Sequence, residues 1–481
     1  MKRRVTAFLL LLALSSQFVY ADWPMAGHDN QRTSYSSEDV TPTSFNQGCG
    51  MHTFADYIPT KVQLITVDRG TTDSMIYVAT AGGVYALRHG ILDNTSNDFV
   101  WTYPTSMPVG HSPTVDKTNN VIYIPVLDKT IHAVNALTGQ LIWQTDSAGG
   151  GFLTSPLVAN NLVYAGNRDG YVYAFNTSDG TLAWSYYIGA PVDYSPAISA
   201  DNSVLYIGAM NSKAYALNAL TGSRIAESVQ FQGSGFFSFW PVVHTSANRV
   251  LFAKSLNYPE NYVDEHQRSD NAVYPETPEN LSTQGFMDWY ALHPEMKSLL
   301  VLNPATLAEE ETAPHLWWGN ASGNRYPPAI SGDGTVWALS AWRHSAAVYF
   351  PQGNFMGWVI GAATFTPEPS WSSGADSEDE PKAFSIIGNI IWHGAGGDGT
   401  DQGGYTSLTS TSYRTWSDST LYGYVGSYWV NWSTYRYGNG LSFASNPYPN
   451  NTGTHGNQNP PVPLRGYVYI NRSNAVICLR P

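Results

Sequence analysis

Short runs of alternating apolar and polar residues, separated by turn residues, recur along most of this chain. In the clearest unit, Leu153-Thr154-Ser155-Pro156-Leu157-Val158 leads to Leu162-Val163-Tyr164-Ala165-Gly166. Gly170-Tyr171-Val172-Tyr173-Ala174-Phe175-Asn176 follows, and Asp179-Gly180-Thr181-Leu182-Ala183-Trp184 ends the unit. Each run is too short for a helix and has the two-residue alternation of a strand, so the unit predicts four consecutive antiparallel strands. Pro156 stands where the first strand opens, a place that tolerates a residue without an N–H. Asp179-Gly180 is a hairpin-turn pair between the third and fourth strands.

The unit repeats. Ser112-Pro113, Val121-Ile122-Tyr123, His132-Ala133-Val134-Asn135, Thr138-Gly139 and Trp143 precede it in the same order. Ser195-Pro196, Val204 to Gly208, Tyr215-Ala216-Leu217-Asn218 and Thr221-Gly222 follow it. The step is 41 residues from Tyr123 to Tyr164 and 42 from Tyr164 to Tyr206. A period of that length, made of four short strands, is one blade of a β-propeller. Fainter copies supply anchors at Tyr77, Phe252, Trp337, Trp392 and Tyr469, giving an expected eight blades of four strands in one all-β domain. The last copy ends after its third strand, Val476 to Leu479. Its fourth strand is therefore expected from His52 to Asp56, ahead of the first blade. That closure carries Cys49 toward Cys478, the only two cysteines, and predicts a disulfide between them.

Composition supports the same class. Aromatic residues make up 14% of the chain and charged residues 13%, with 43 Gly and 29 Pro, which suits strands and turns rather than long helices. Residues 1–21 combine Lys2, Arg3 and Arg4 with the apolar run Ala7 to Leu14 and end at Val19-Tyr20-Ala21. This is the pattern of a removable secretory signal peptide, which leaves residues 22–481 as the mature domain in the periplasm or outside the cell. No later stretch is apolar for long enough to span a bilayer. A net charge of -13 argues against nucleic acid as a partner, since phosphate backbones are bound by clustered Lys and Arg.

The blade motif, together with Trp23-Pro24-Met25-Ala26-Gly27-His28-Asp29-Asn30-Gln31-Arg32-Thr33, resembles the pyrroloquinoline-quinone (PQQ) repeat proteins of the quinoprotein alcohol dehydrogenase-like superfamily. The resemblance implies a propeller over nearly the whole mature chain. It implies less about activity, because that superfamily includes quinone-dependent dehydrogenases, an outer-membrane assembly scaffold and other exported proteins. The dehydrogenases carry adjacent cysteines beside the quinone, a carboxylate base and a calcium shell; this chain has no Cys-Cys pair and no Cys-x-x-Cys-His for haem. PQQ and calcium remain the cofactors of the alternative reading, and no cofactor is required by the residues themselves.

Repeat symmetry selects the candidate site. The position before each Ser-Pro equivalent holds His111, Thr154, Tyr194, Phe239, Tyr326, Lys382 and Asn459, near one mouth of the axial channel. Most are aromatic or ionisable, as suits a ligand-binding mouth; ordinary rim packing is the plain reading of the same residues. Two insertions, 257–297 and 400–458, are rich in aromatics. Trp416, Tyr428, Trp429 and Trp432 in the second present the ring faces and polar tips that stack on sugars or peptides. Asp398 to Asp401 and the acidic run Asp376 to Glu380 lack the full ligand spacing of a calcium loop, and no histidine pair has zinc spacing. The expectation is an exported, non-enzymatic propeller that binds a ligand or a protein partner, with a PQQ- and calcium-dependent oxidoreductase as the alternative.

Overall fold

The structure, a computed structural model, describes residues 22–40, 47–59, 61–90, 92–233, 235–254, 288, 292, 297, 299–313, 317–318, 326–342, 354–362, 366–367, 383–393, 402–407, 413–417, 459–472 and 474–480. It is an all-β propeller. The described strands assemble into eight sheets, numbered here in the order of their innermost strands. Those strands are Ile65–Val67, Thr114–Asp116, Leu157–Ala159, Ala197–Ile198, Val242–His244, Ala329–Ile330, Phe384–Ile387 and Val462–Leu464. In the third sheet Leu157–Ala159, Leu162–Gly166, Tyr171–Asn176 and Leu182–Tyr187 pair in sequence order, with Tyr164 opposite Leu157 on one side and Ala174 on the other. The anchors Tyr77, Tyr123, Tyr164, Tyr206, Phe252, Trp337, Trp392 and Tyr469 are all buried, as expected of positions between sheets.

Three successive contacts between neighbouring sheets, from the first sheet to the fourth, reuse the same few residue types. Trp101, Trp143 and Trp184 of the fourth strands reach across the next sheet, and their indole N–H groups donate to the carbonyls of Ala136, Thr177 and Ala219, each at 3.0 Å. Beneath each indole lies the glycine of the following turn: Gly139 under Trp101, Gly180 under Trp143 and Gly222 under Trp184. These glycines have φ of +73°, +74° and +71°. A Cβ would stand 2.9, 2.5 and 2.4 Å from the ring, so the turn needs glycine both for its backbone and for the close approach of the indole.

The serine of the Ser-Pro pair links neighbouring inner strands, a role that turn preference alone does not predict: Ser112 Oγ accepts from Gln63 N at 2.7 Å and Ser195 Oγ accepts from Ser155 N at 2.9 Å. Two positions on, Thr114 Oγ1 donates to Pro156 O at 2.6 Å and the equivalent Ser385 Oγ donates to Pro461 O at 2.5 Å. Thr66 Oγ1 donates to Pro463 O at 2.8 Å and so joins the first sheet to the eighth.

The eighth sheet closes with an N-terminal strand, but five residues earlier than its expected start: Gln47–Thr53, not His52 to Asp56, pairs antiparallel with Ala475–Arg480. The shift follows from Cys49, which is bonded to Cys478 with a Cα–Cα distance of 5.1 Å and so lies inside the added strand rather than ahead of it. A second difference concerns 400–458. Gln402–Ser407 and Tyr413–Ser417 are the third and fourth strands of the seventh sheet, so part of that segment is blade and not insertion. Uniform polarity and glycine content had hidden their alternation.

Candidate functional site

The centre of the ring is filled by the chain itself. From Trp23 to Ser36 the N-terminal segment passes one inner strand after another, meeting each at an equivalent position. Trp23 O accepts from Thr66 N at 3.0 Å, Pro24 O from Val115 N at 2.8 Å, Asn30 O from Ile198 N at 3.0 Å and Gln31 O from Val243 N at 2.9 Å. Thr33 O and Ser34 O take Ile330 N and Ile386 N, both at 2.9 Å. At the third sheet the side chain substitutes, Asn30 Nδ2 donating to Val158 O at 3.2 Å. At the eighth sheet the corresponding residue is Pro463, which has no N–H to offer, and Glu38 instead accepts from Gly466 N.

Arg32 holds this segment. It is fully buried, and its guanidinium donates to the carbonyls of Ala26, Pro196, Ser155 and Pro156 and to Ser155 Oγ, while it lies 5.7 Å from the Trp240 ring centre. Burial lowers it to about 9, with Asp29 pulling the other way, so it stays protonated at neutral pH. Only a planar fork with five donors can serve so many acceptors at once.

The residues selected by repeat symmetry are buried: His111, Thr154, Tyr194, Phe239, Tyr326 and Asn459 are all under a tenth exposed. Tyr326 OH accepts from Gln63 Nε2 at 3.0 Å, and Gln63 Oε1 accepts from Gly27 N at 3.0 Å and Trp23 Nε1 at 3.3 Å. Tyr194 OH donates toward the carbonyls of Trp240 and Ala253 at 2.8 and 3.1 Å. His111 Nε2 lies 3.0 Å from Ser238 O while Nδ1 accepts from Ser112 N at 2.7 Å, an arrangement suited to the neutral ring. Burial drives the His111 imidazole down to about 4. Lys382, Tyr428, Trp429 and Trp432 lie outside the described residues; Trp416 falls on the edge strand of the seventh sheet.

One position upstream, the repeat carries charge. Lys61 and Ser238 occupy equivalent places in the first and fifth sheets and meet across the ring, Nζ to Oγ at 2.6 Å. Lys61 Nζ also lies 5.9 and 5.6 Å from the ring centres of Phe237 and Phe239. Asp193, the equivalent residue of the fourth sheet, pairs with Arg168 at 3.0 Å, and its backbone carbonyl accepts from Ser238 N at 2.7 Å. Burial raises the Asp193 carboxyl above its ordinary range against the pull of Arg168 and Lys61. Lys61, Arg168, Asp193 and Ser238 beside two phenyl rings form a polar, two-signed surface able to hold a ligand with a charged or hydrogen-bonding group. These residues stand one position upstream of the set chosen by repeat symmetry, and in a strand-like run adjacent residues face opposite ways.

The described residues do not compose a quinone and calcium site. Among them, no three His, Cys, Asp or Glu side chains converge as a metal would need. Asp29 is spent on Thr33 and His28, and Asp193 on Arg168. The two cysteines are joined to each other across 429 residues rather than paired beside the axis.

Residues 71–246 match the family described as outer membrane protein assembly factor BamB of the PQQ repeat type. The assembly factor BamB of Taylorella asinigenitalis is 32% identical over 107 residues, covering 22% of this chain and 27% of that protein. The tetrathionate hydrolase of Acidithiobacillus ferrooxidans is 29% identical over 133 residues, covering 22% and 26%. The chain thus spans about a quarter of the length of these relatives. Among solved structures, quinohemoprotein alcohol dehydrogenase from Comamonas testosteroni superposes with a TM-score of 0.55 at 12% identity, over 95% of this chain and 80% of that one, a likeness of fold. The chain is a β-propeller, and its residues 71–246 carry the likeness to that family.

Proposed function

We propose that this chain is an exported, non-enzymatic propeller of eight blades, one for each sheet, that binds a ligand or protein partner on the face bearing Lys61, Arg168 and Asp193. The aromatic residues Trp416, Tyr428, Trp429 and Trp432 add a second contact surface. The observation that carries this reading is the occupied axis. The N-terminal segment takes the backbone N–H of six inner strands at the centre of the ring, whereas Arg168 spends only its Nε on Asp193 and its side chain is 59% exposed. The relatives' description as an assembly factor favours the same class. A disulfide is at home in the periplasm or outside the cell, where removal of residues 1–21 would place the mature domain.

The test is to add PQQ and Ca²⁺ to the purified protein and follow quinone absorbance and dye reduction with alcohols and sugars. The expected result is neither retained quinone nor reduction, with a partner co-purifying from the native host and lost in Arg168→Glu. Retained quinone with substrate-dependent dye reduction would establish the oxidoreductase reading instead.

A further inference from the structure

A second concave surface lies away from the axis, where the turn after the first sheet's inner strand meets the second sheet. It is a groove of about 640 Å³, within the range of ligand-sized clefts. Three cations line it: Arg69, Arg88 and Lys117. Asp73 is the one acid among its lining residues, so the groove is locally positive on a chain whose net charge is -13.

The cations are held in different ways. Arg69 is fixed in place, its Nε and Nη2 donating to Asn120 Oδ1 at 3.3 and 3.1 Å and its Nη1 to Tyr77 OH at 3.1 Å. One hydrogen on each of Nη1 and Nη2 is left over by that arrangement. Arg88 uses only Nε, toward Asn97 O at 3.3 Å, and keeps both terminal nitrogens for an outside acceptor. Lys117 is paired with Asp22 at 2.9 Å.

Between the cations the lining is apolar. Val100 is the extra residue of a β-bulge, standing between Phe99 and Trp101, which pair with Leu87 and Ala86. The bulge turns its side chain out of the ladder, and it lines the groove. Leu137, in the turn of the neighbouring sheet, is 37% exposed, and Met75 completes the apolar part.

We infer that this groove is a binding site for an acidic, amphipathic peptide segment, whose carboxylates meet Arg69 and Arg88 while an apolar side chain rests on Val100 and Leu137. Charge complementarity selects the occupant: unused guanidinium hydrogens favour carboxylate acceptors. The exposed apolar floor favours a chain that alternates acid with an aliphatic residue.

Fluorescence polarisation with a labelled peptide of alternating Glu and Leu tests this on the whole protein. Binding should weaken as salt rises. It should fall about tenfold in Arg88→Glu, a loss of one charge-assisted contact plus a new repulsion, and fall again in Leu137→Asp. Both positions are at the surface, and an unchanged melting temperature confirms that each variant is folded. Equal binding of a Lys-Leu peptide, or an affinity unaltered in both variants, overturns the proposal. Equal binding of an all-Glu peptide removes the apolar half, and full displacement by inorganic phosphate marks a simple anion site; either result also overturns it.

Discussion

His111 shows what burial does to a single titratable side chain. Both of its ring nitrogens are engaged within the protein, and Arg32 and Lys61 add to the burial that keeps it neutral. The consequence is a pH dependence of stability. A histidine near 6.5 when unfolded and about 4 when folded takes up its proton first in the unfolded state. Stability from this residue is therefore complete above pH 6.5 and is lost as the pH falls toward 4, by about 3 kcal/mol if the whole shift is expressed. His89 is likewise lowered to about 4 and acts in the same direction. Urea unfolding at pH 7, 5.5 and 4.5 should show a steep loss in the native protein and a shallower one in His111→Gln, which retains a donor toward Ser238.

At the scale of the element, the turn between the third and fourth strands of a sheet is where one sheet recognises the next. Gly180→Ala would force a left-handed backbone onto alanine and drive its Cβ to 2.5 Å from the Trp143 ring. The expected loss is about 2–4 kcal/mol, strain and overpacking together. Gly189 provides the comparison: its φ is +86°, but the nearest atom to a Cβ is Tyr187 Cε1 at 3.8 Å. Gly189→Ala should cost only the backbone share, about 1 kcal/mol. Chemical denaturation of the two variants separates the terms. The sequence showed these glycines as turn residues through Thr-Gly and Asp-Gly and the fourth-strand Trp as a plate for the next blade; that the indole settles on the turn glycine was not legible, because the two come from different repeats, 38 residues apart at Trp101 and Gly139.

For the whole molecule, closure decides stability. Cys49 and Cys478 join the two ends of the ring across 429 residues, so the unfolded chain is constrained over nearly its full length. Chain-entropy reasoning gives such a link about 6 kcal/mol, above the usual range for a single disulfide. The paired variant Cys49→Ala with Cys478→Ala should melt well below the native protein, and reduction should lower the native melting temperature toward that of the variant. Mass spectrometry of the unreduced protein should find neither thiol free.

The strand order within a sheet, the spacing of sheets and the pairing of the two cysteines could be reached from the sequence. All follow from local alternation repeated at a fixed period, and local alternation survives in one dimension. Three features were settled only by folding: the register of the closing strand, the filling of the axis by Trp23 to Ser36, and the placing of Lys61, Arg168 and Asp193 near one another. Each depends on residues far apart in the chain that meet only when the ring shuts, and a one-residue step along a strand exchanges a buried face for an exposed one. No periodicity records that step, because it is decided by what packs across the ring.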